Sequence, residues 1–208
     1  MKVLLHPTYF PSISTFALIA QRDIVWEFHD NFQKQTYRNR CYICTDQGKQ
    51  MMNIPIKHVG ENQGRQLYRE VVVDHNSLWQ KQHWRTLETA YRTSPYFEFY
   101  EDEIAPIFQT TVNLLFEFNL MAMGVILDCL GIERNFGKTT SYEPSTEHFI
   151  DARDLVLAKK PLKTKEREYT QVFMERHGFI ANLSILDLLF NEGPNTLSYL
   201  LDHPLDFF

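Results

Sequence analysis

Residues 1–28, MKVLLHPTYFPSISTFALIAQRDIVWEF, decide the fold prediction. A short continuous apolar run at residues 2–5 is typical of a strand that is buried on both faces. A helix follows, capped by Ser12 or Ser14 and ending near Gln21, and the last six residues of the stretch form a second β-prone run. Strand, helix and strand in this order predict a βαβ unit. In such units ligands usually bind beside the loop that leaves the first strand.

The next section of the chain predicts antiparallel pairing. Residues 40–45 and 50–57 are β-prone runs separated by Asp46-Gln47-Gly48, a Gly-containing turn of the hairpin type. Residues 67–74, LYREVVVD, form another predicted strand, and the polar residues 58–65 before it form a loop with two glycines. We therefore expect a hairpin and a further strand after the βαβ unit.

Helical spacing of apolar residues dominates the second half of the chain. One predicted helix ends at Gly131 and another at Gly193-Pro194, which are both typical stop signals. The predicted helices cover residues 79–91, a segment that begins at Pro95, residues 110–130 and residues 182–190. The fold class expected is α/β: a central mixed sheet opened by the βαβ unit, with a hairpin and a helical C-terminal half.

The polar residues 137–168 interrupt this apolar pattern. They include Lys159-Lys160-Pro161 and a charged run at residues 163–168, so we expect a surface excursion here. With 208 residues and 44% hydrophobic content, the chain can bury a sizeable core. We expect residues 1–208 to form a single domain that contains this excursion.

Charge and hydropathy narrow the partners and the location. The net charge is -5 and no block of like charge is long enough to act as a polyelectrolyte, so nucleic acid is not an expected partner. The apolar residues 114–130 are interrupted by Glu117, Asn119 and Asp128, so no membrane span is predicted. The segment MKVLLHP lacks the apolar core of a signal peptide, and the cytoplasm is the expected location.

The cysteines and the sequence motifs predict neither a metal nor a particular cofactor. Cys41 and Cys44 have CxxC spacing but lie in a predicted strand without a second Cys or His pair at zinc-finger spacing. Cys129 falls in an apolar helical pattern, so packing is favoured over redox or metal chemistry. The sequence contains no motif of the dinucleotide, P-loop, zincin or serine-hydrolase kinds, and the cofactor stays unknown.

Polar residues at the ends of predicted elements are the remaining candidates for chemistry. His6 follows the first strand, where it is either a base or hydrogen-bond donor of a site, or a cap of the strand end. Arg38-Asn39-Arg40 precedes the hairpin and either clamps a phosphate or carboxylate, or is solvated on an exposed strand face. Lys57, at the end of the second predicted strand of the hairpin, adds positive charge to the same side as Arg38 and Arg40.

Two further clusters lie in the helical part of the chain. His83, Trp84 and Arg85 either hold a sugar or a base, or belong to the core through the tryptophan. Arg176 and His177 precede a buried turn and a nearly all-apolar helix. This position is difficult to explain by packing, because a buried charged or titratable group needs a partner. Arg176 and His177 are therefore the stronger of the two clusters.

Five motifs together resemble the WbqC-like protein family. They are MKVLLHPTYFPSISTFALIA (1–20), YRNR (37–40), NIPIK (53–57), KQHWR (81–85) with Tyr91 and PYF (95–97), and FIANLSILDLLFNEG (179–193). Family members are bacterial and are associated with surface-polysaccharide and O-antigen synthesis, which implies a role in that pathway. His6 stands where the family usually has Gln before Pro. The resemblance therefore favours the loop at residues 6–14, with Tyr9 and Phe10, as a binding wall over His6 as a catalyst.

The resemblance and the βαβ unit together imply a transferase that uses an activated, phosphate-bearing donor, such as a nucleotide-sugar or an acyl donor. In this hypothesis the loop at residues 6–14 holds the donor, the basic residues before and after the hairpin meet its negative charge, and His177 or His83 is the general base. One alternative is a non-catalytic glycan-binding or assembly component. Another is a structural role for most of these side chains. The sequence leaves the oligomeric state open.

Overall fold

The structure is a computed structural model that describes residues 1–57, 65–159, 162 and 165–206. Its strands are β1 (Lys2–Leu5), β2 (Ile24–Trp26), β3 (Arg40–Thr45), β4 (Gly48–Asn53), β5 (Gly137–Lys138) and β6 (Phe149–Asp151). Four of them form a parallel sheet in the order β5-β2-β1-β6, and β3 and β4 form a separate antiparallel hairpin.

The α-helices of the described residues begin after residue 78, apart from the first. They are α1 (Ile13–Gln21), α2 (Trp79–Tyr91), α3 (Phe97–Ile104), α4 (Leu115–Cys129), α5 (Met174–His177), α6 (Ile185–Glu192) and α7 (Thr196–Asp202). Short 3₁₀ turns occur at Tyr68–Glu70, Ala105–Phe108, Arg153–Val156 and Gly193–Asn195. The α/β class predicted from the sequence, with a hairpin and a helical C-terminal half, is confirmed.

The predicted βαβ unit is formed by β1, α1 and β2. The two strands are parallel neighbours, with Val3 opposite Ile24, and every residue of α1 except Gln21 is buried. Because the sheet covers one side of α1 and the helices α6 and α7 pack nearby, the apolar residues of this unit form the centre of the core. Among the strands described, those of the hairpin pair antiparallel and the four-stranded sheet is parallel; isolated antiparallel bridges join other segments.

The predicted strand at residues 67–74 is wrong. Tyr68–Glu70 forms a 3₁₀ turn, and the residues around it make isolated bridges to other segments. The hydroxyl of Tyr68 donates to the carbonyl of Pro7 inside the core, so tertiary contacts outweigh the β-propensity of this segment. The predicted helix at residues 110–130 begins later, at Leu115. The predicted loop at residues 58–65 lies outside the described residues, apart from its last residue.

Residues 137–168 contribute to the sheet as well as to the surface. Both β5 and β6 lie in this stretch, and Ala152, Leu155 and Val156 after β6 are buried. The two strands are two and three residues long, so they lack the alternation of apolar and polar residues that marks a strand in a sequence. The assignment of residues 1–208 to a single domain stays a prediction.

A buried polar cluster joins the C-terminal half to the rest of the core. Asp187 of α6 is fully buried, and the hydroxyls of Tyr91 and Tyr169 each donate to its carboxylate at 2.6 Å. Burial raises the pKa of Asp187, and these hydrogen bonds oppose the shift. Because Tyr91 belongs to α2 and Tyr169 precedes α5, one carboxylate connects three parts of the fold.

Candidate functional site

Two neighbouring strands of the parallel sheet end beside one cavity. His6 directly follows β1, Asp151 is the last residue of β6, and Arg153 comes two residues later. Because the carboxyl ends of parallel strands lie at the same edge of a sheet, residues that are distant in sequence meet here. The cavity has a volume of about 380 Å³, within the range of about 300–1,000 Å³ usual for small-molecule sites. Its polar lining includes His6, Asp30, Arg38, Tyr142, Asp151 and Arg153.

His6, Arg38 and Asp30 form a buried triangle of polar contacts. The Nη2 atom of Arg38 donates one hydrogen to Nε2 of His6, at 2.8 Å, and another to Oδ2 of Asp30, at 3.0 Å. Nε2 of His6 lies 3.1 Å from the same carboxylate oxygen. A neutral imidazole that accepts at Nε2 carries its hydrogen on Nδ1, so the contact with Arg38 assigns this tautomer to His6.

The charges in this triangle are fixed at neutral pH. Burial is the main cause that lowers the pKa of His6, to about 4; the interaction with Asp30 opposes the shift, and the charge of Arg38 adds to it. Burial alone would raise the pKa of Asp30, but the cation of Arg38 and a hydrogen bond from the backbone N–H of Asn31 stabilise the carboxylate, and that pKa is lowered. His6 is therefore neutral, Asp30 is a carboxylate and Arg38 is a cation.

Arg38 has hydrogen-bonding capacity that the protein does not use. Its side chain is 1% exposed, and its Nε and Nη1 atoms have no hydrogen-bond partner within the described part of the chain. The guanidinium lies 5.3 Å from the centroid of the Tyr68 ring, and Asn119 donates to the Arg38 carbonyl. Both the side chain and the backbone of Arg38 therefore have fixed positions. Because a guanidinium presents paired donors that match phosphate and carboxylate oxygens, an anionic group in the cavity would satisfy it.

Arg153, by contrast, has a partner for each nitrogen of its guanidinium. Nε and Nη2 donate to the two oxygens of Asp151 at 2.9 and 2.6 Å, and Nη1 donates to Glu27 at 3.2 Å. The Glu27 side chain is fully buried, so removing its cation would leave an uncompensated charge inside the protein. Arg153 therefore supports the wall of the cavity, whereas Arg38 retains free donors.

The β5–β6 loop, residues 139–148, forms another wall. Arg153 donates to the carbonyls of Glu143 and Pro144 at 2.9 and 3.3 Å, and its guanidinium lies 5.2 Å from the centroid of the Tyr142 ring. At the start of the loop, the Thr139 hydroxyl donates to Glu27 at 2.9 Å. The loop is therefore fastened to the sheet edge at two points, and it presents Tyr142 at the rim of the cavity.

Among the residues predicted from the sequence, His6 and Arg38 come together at this cavity. Tyr9 and Phe10 are buried in the core, so the loop at residues 6–14 contributes His6 to the cavity while its aromatic rings pack inside. The Tyr9 hydroxyl and Nδ1 of His83 are hydrogen-bonded at 2.9 Å. Burial lowers the pKa of His83 to about 4. His83 is thus an interior histidine with a partner.

Five predicted residues lie elsewhere. Asn39 is buried and its amide donates to groups at the end of β4, whereas Arg40 begins β3. Lys57 is exposed beyond the hairpin. Trp84 is half-buried and stacks on a phenylalanine ring, with 5.7 Å between the centroids, and Arg85 is exposed beside a groove between α2 and the hairpin. The structure does not place these five side chains in the lining of the cavity.

Arg176 and His177 contact the turn of the hairpin. Nη1 of Arg176 and Nε2 of His177 both donate to the carbonyl of Asp46, each at 3.0 Å. Both side chains are exposed and not buried as their sequence position suggested, and their polar contact is a backbone carbonyl. Neither of them, nor His83, lines the cavity that contains Arg38, so the structure does not bring the predicted bases and the predicted anion-binding residues together.

Sequence reasoning missed most of the cavity, including four residues that form its polar contacts: Asp30, Tyr142, Asp151 and Arg153. Three of them lie in residues 137–168, whose polar composition predicts surface chain. The one usable signal is FID, residues 149–151, a short apolar pair followed directly by an acidic residue. This pattern is typical of a strand end at a site, but two apolar residues are too few to predict a strand.

The remaining cavities offer weaker evidence of a ligand. The largest, about 690 Å³, lies beside α4 and β2 and is lined by apolar side chains such as Leu127 and Phe136, with exposed charged residues at its rim. Within the described ranges, no three His, Cys, Asp or Glu side chains are grouped so as to hold a metal ion. None of the helices described is both long and apolar enough to cross a bilayer.

Comparisons with known proteins agree with the resemblance seen in the motifs. The model of the WbqC-like protein family matches residues 6–163, a range that contains the polar lining residues of the cavity and ends before Arg176 and His177. The uncharacterized protein Rv1507c of Mycobacterium tuberculosis is 29% identical to this chain over 232 residues, covering 95% of this chain and 96% of that protein. No solved structure matches the chain significantly.

Proposed function

Because the chain belongs to the WbqC-like protein family, we propose that it is a transferase of bacterial surface-polysaccharide synthesis, O-antigen synthesis included. It acts in the cytoplasm on an activated, phosphate-bearing donor, and the donor binds in the cavity at the carboxyl edge of the sheet. The family supports the pathway, and the cavity supports the class of ligand. Transferase chemistry, the phosphate-bearing donor and the cytoplasmic location are all parts of this proposal.

The observation that carries this proposal is the unused capacity of Arg38. A buried guanidinium with two unpartnered nitrogens is costly unless an acceptor occupies the neighbouring space. Phosphate oxygens are acceptors of the right geometry and charge, and Asp30 is the one carboxylate that already contacts this guanidinium in the described chain. An anionic group on the donor would therefore satisfy Arg38 and place the rest of the donor toward the cavity rim.

The cavity also supplies groups for a transfer step. As the bond between the transferred group and the phosphate oxygen breaks, negative charge develops on that oxygen, and Arg38 stabilises it. The electron pair leaves with the phosphate. The hydroxyl or amine of the acceptor forms the new bond to the transferred group, and its proton passes to the carboxylate of Asp151, whose side chain is 39% exposed. The proposal places this role on Asp151 because His83 and His177 do not line the cavity.

A non-catalytic glycan-binding or assembly component is the second candidate. One observation favours it: His6 and Asp151, two titratable groups of the cavity, have pKa values shifted away from neutrality. Burial lowers the pKa of His6 to about 4, and a hydrogen bond from Arg153 is the main cause that lowers the pKa of Asp151. Groups whose charge is fixed at neutral pH bind a ligand without exchanging protons with it.

Thermal-shift screening distinguishes the two candidates. The purified protein is tested with a panel of nucleotide-sugars, with acyl-coenzyme A and with free oligosaccharides. Stabilisation by a phosphate-bearing donor that is absent in Arg38→Gln and retained in Arg85→Gln supports the transferase. Arg85 is a matched control because it is an arginine outside the cavity. Stabilisation by oligosaccharides alone supports the glycan-binding component, and no response to any donor contradicts the proposed transferase.

A further inference from the structure

The exposed ring of Tyr142 is a feature of the cavity that anion binding by Arg38 does not explain. Tyr142 lies at the rim, and 46% of it is exposed. The Arg153 guanidinium lies over its ring, 5.2 Å from the centroid. In the described part of the chain no other aromatic ring packs against Tyr142, so a ligand can approach the remainder of the ring surface.

The ring is held in a defined place. Arg153 is fixed by its two hydrogen bonds to Asp151, and it donates to the carbonyls of Glu143 and Pro144, the two residues that follow Tyr142. A ligand that stacks on Tyr142 therefore does not have to order this part of the loop first, which removes one of the usual costs of binding. A flat aromatic surface held in this way buries a large apolar area against a ligand ring.

Tyr142 and Arg38 face the same cavity from different segments of the chain. Both residues line the cavity of about 380 Å³, so a single small ligand can contact both. A ligand that reaches from one to the other has an anionic end and a ring.

The carboxylates of the cavity favour a sugar as this ring. Asp151 and Asp30 both line the cavity, and both are ionised because interactions with neighbouring cations and hydrogen-bond donors lower their pKa values. A carboxylate accepts hydrogen bonds from hydroxyl groups. Sugar hydroxyls beside these carboxylates, with the C–H face of the sugar on Tyr142, satisfy both kinds of group.

We infer that Tyr142 is the platform for the sugar of the donor, which stacks on its ring while the phosphate of the same donor lies on Arg38. This inference rests on the proposed function and names its substrate class: a sugar linked to phosphate, with the sugar ring toward the rim. Tyr142 then determines specificity for the sugar, and Arg38 provides affinity for the phosphate.

Calorimetric titration of three variants tests this inference. Tyr142→Ala removes the ring, Tyr142→Phe keeps the ring without the hydroxyl, and Tyr42→Ala is the matched control. Tyr42 also carries a cation over its ring, with Lys49 at 4.8 Å, but it lies on β3 away from the cavity. The ligands are the nucleotide-sugar that binds the wild-type protein most tightly, the nucleoside diphosphate without the sugar, and inorganic pyrophosphate.

We expect Tyr142→Ala to weaken nucleotide-sugar binding about tenfold and to leave binding of the nucleoside diphosphate and of pyrophosphate within about twofold of wild type. Tyr142→Phe and Tyr42→Ala should bind the nucleotide-sugar like the wild type. The inference is overturned by wild-type affinity in Tyr142→Ala, by an equal loss in Tyr142→Phe, or by an equal loss for the ligands without sugar. If neither the nucleotide-sugar nor pyrophosphate binds the wild-type protein, the proposed function and this inference fail together. If pyrophosphate binds and Tyr142→Ala leaves the affinity for the nucleotide-sugar unchanged, this inference alone fails.

Discussion

The Nη2 atom of Arg38 lies 2.8 Å from Nε2 of His6, a contact that requires the histidine to be neutral and to accept. The same nitrogen donates to Asp30, and Nε and Nη1 have no hydrogen-bond partner in the described residues. Arg38 therefore stabilises the fold through Nη2, and the proposed function assigns its two unused donors to a ligand.

The structural role of Arg38 is measurable without a ligand. Arg38→Met leaves the largely buried Asp30 without its cation and His6 without its donor, so the free energy of unfolding should fall by about 3 kcal/mol. Urea denaturation measures this change. Arg92→Met is the control, because Arg92 is exposed and pairs with two solvent-accessible carboxylates, Glu88 and Glu101, so its replacement should cost about 1 kcal/mol. Equal stability of the two variants would contradict the role assigned to the triangle.

Replacing Arg153 should loosen the β5–β6 loop as well as destabilise the protein. Arg153→Lys keeps the charge but cannot satisfy Glu27, Asp151 and the loop carbonyls together, and we expect a loss of about 2 kcal/mol. Limited proteolysis with chymotrypsin should then cleave after Tyr142 faster than in the wild type. Arg134→Lys, outside this cluster, should leave the cleavage rate unchanged; an unchanged rate in Arg153→Lys would show that this arginine does not hold the loop.

The buried His83 predicts a pH dependence of stability. Its pKa is about 4 in the folded protein and about 6.5 when unfolded, so between these values the unfolded chain binds a proton that the folded protein excludes. Stability is lost as pH falls from 6.5 to 4, and His83 accounts for up to about 3 kcal/mol of that loss. The difference in unfolding free energy between wild type and His83→Gln, measured across this range, should change by that amount. Parallel pH profiles would argue that His83 is solvated.

Two glycines should respond to alanine with opposite signs. Gly193 has φ +52°, and an added Cβ would overlap the Tyr96 ring, so Gly193→Ala should lose about 3 kcal/mol or more. Gly124 lies inside α4 with no atom near the position of an added Cβ, so Gly124→Ala should gain about 0.5–1 kcal/mol from helix propensity. Thermal unfolding of both variants measures the contrast. A stable Gly193→Ala protein would contradict the close packing of α3 against the end of α6.

The βαβ unit could be predicted because each of its elements has a local signal: a continuous apolar run, a capped helix and a second β-prone run. β5 and β6 could not, since strands of two and three residues depend on the partners beside them in the sheet. Residues 67–74 have the composition of a strand, yet the buried hydroxyl of Tyr68 and its hydrogen bonds decide their conformation. Local pattern therefore predicts the elements that form the core and misses those that tertiary contacts create.

The candidate site likewise contains residues that the sequence pattern predicts and residues that it misses. His6 and Arg38 could be found because each stands beside a predicted strand, His6 after β1 of the parallel sheet and Arg38 before β3 of the hairpin. Tertiary packing of these two parts places the side chains 2.8 Å apart. Arg176 and His177 have a sequence position that requires a partner, but the sequence does not show that the partner is the Asp46 carbonyl at the hairpin turn. Tyr142 has no local signal, because its role depends on the arginine that fixes it from beyond β6.

The central claim is that the cavity at the sheet edge binds a phosphate-bearing donor through Arg38. Isothermal titration of the wild-type protein, Arg38→Lys and Arg85→Gln with the nucleotide-sugar panel tests it most directly. Lysine keeps the positive charge of Arg38 and lacks its paired donors, so the account predicts binding to the wild type and to Arg85→Gln, with a loss of about tenfold or more in Arg38→Lys. Equal affinity in all three proteins, or no binding of any nucleotide-sugar to the wild type, would contradict the claim.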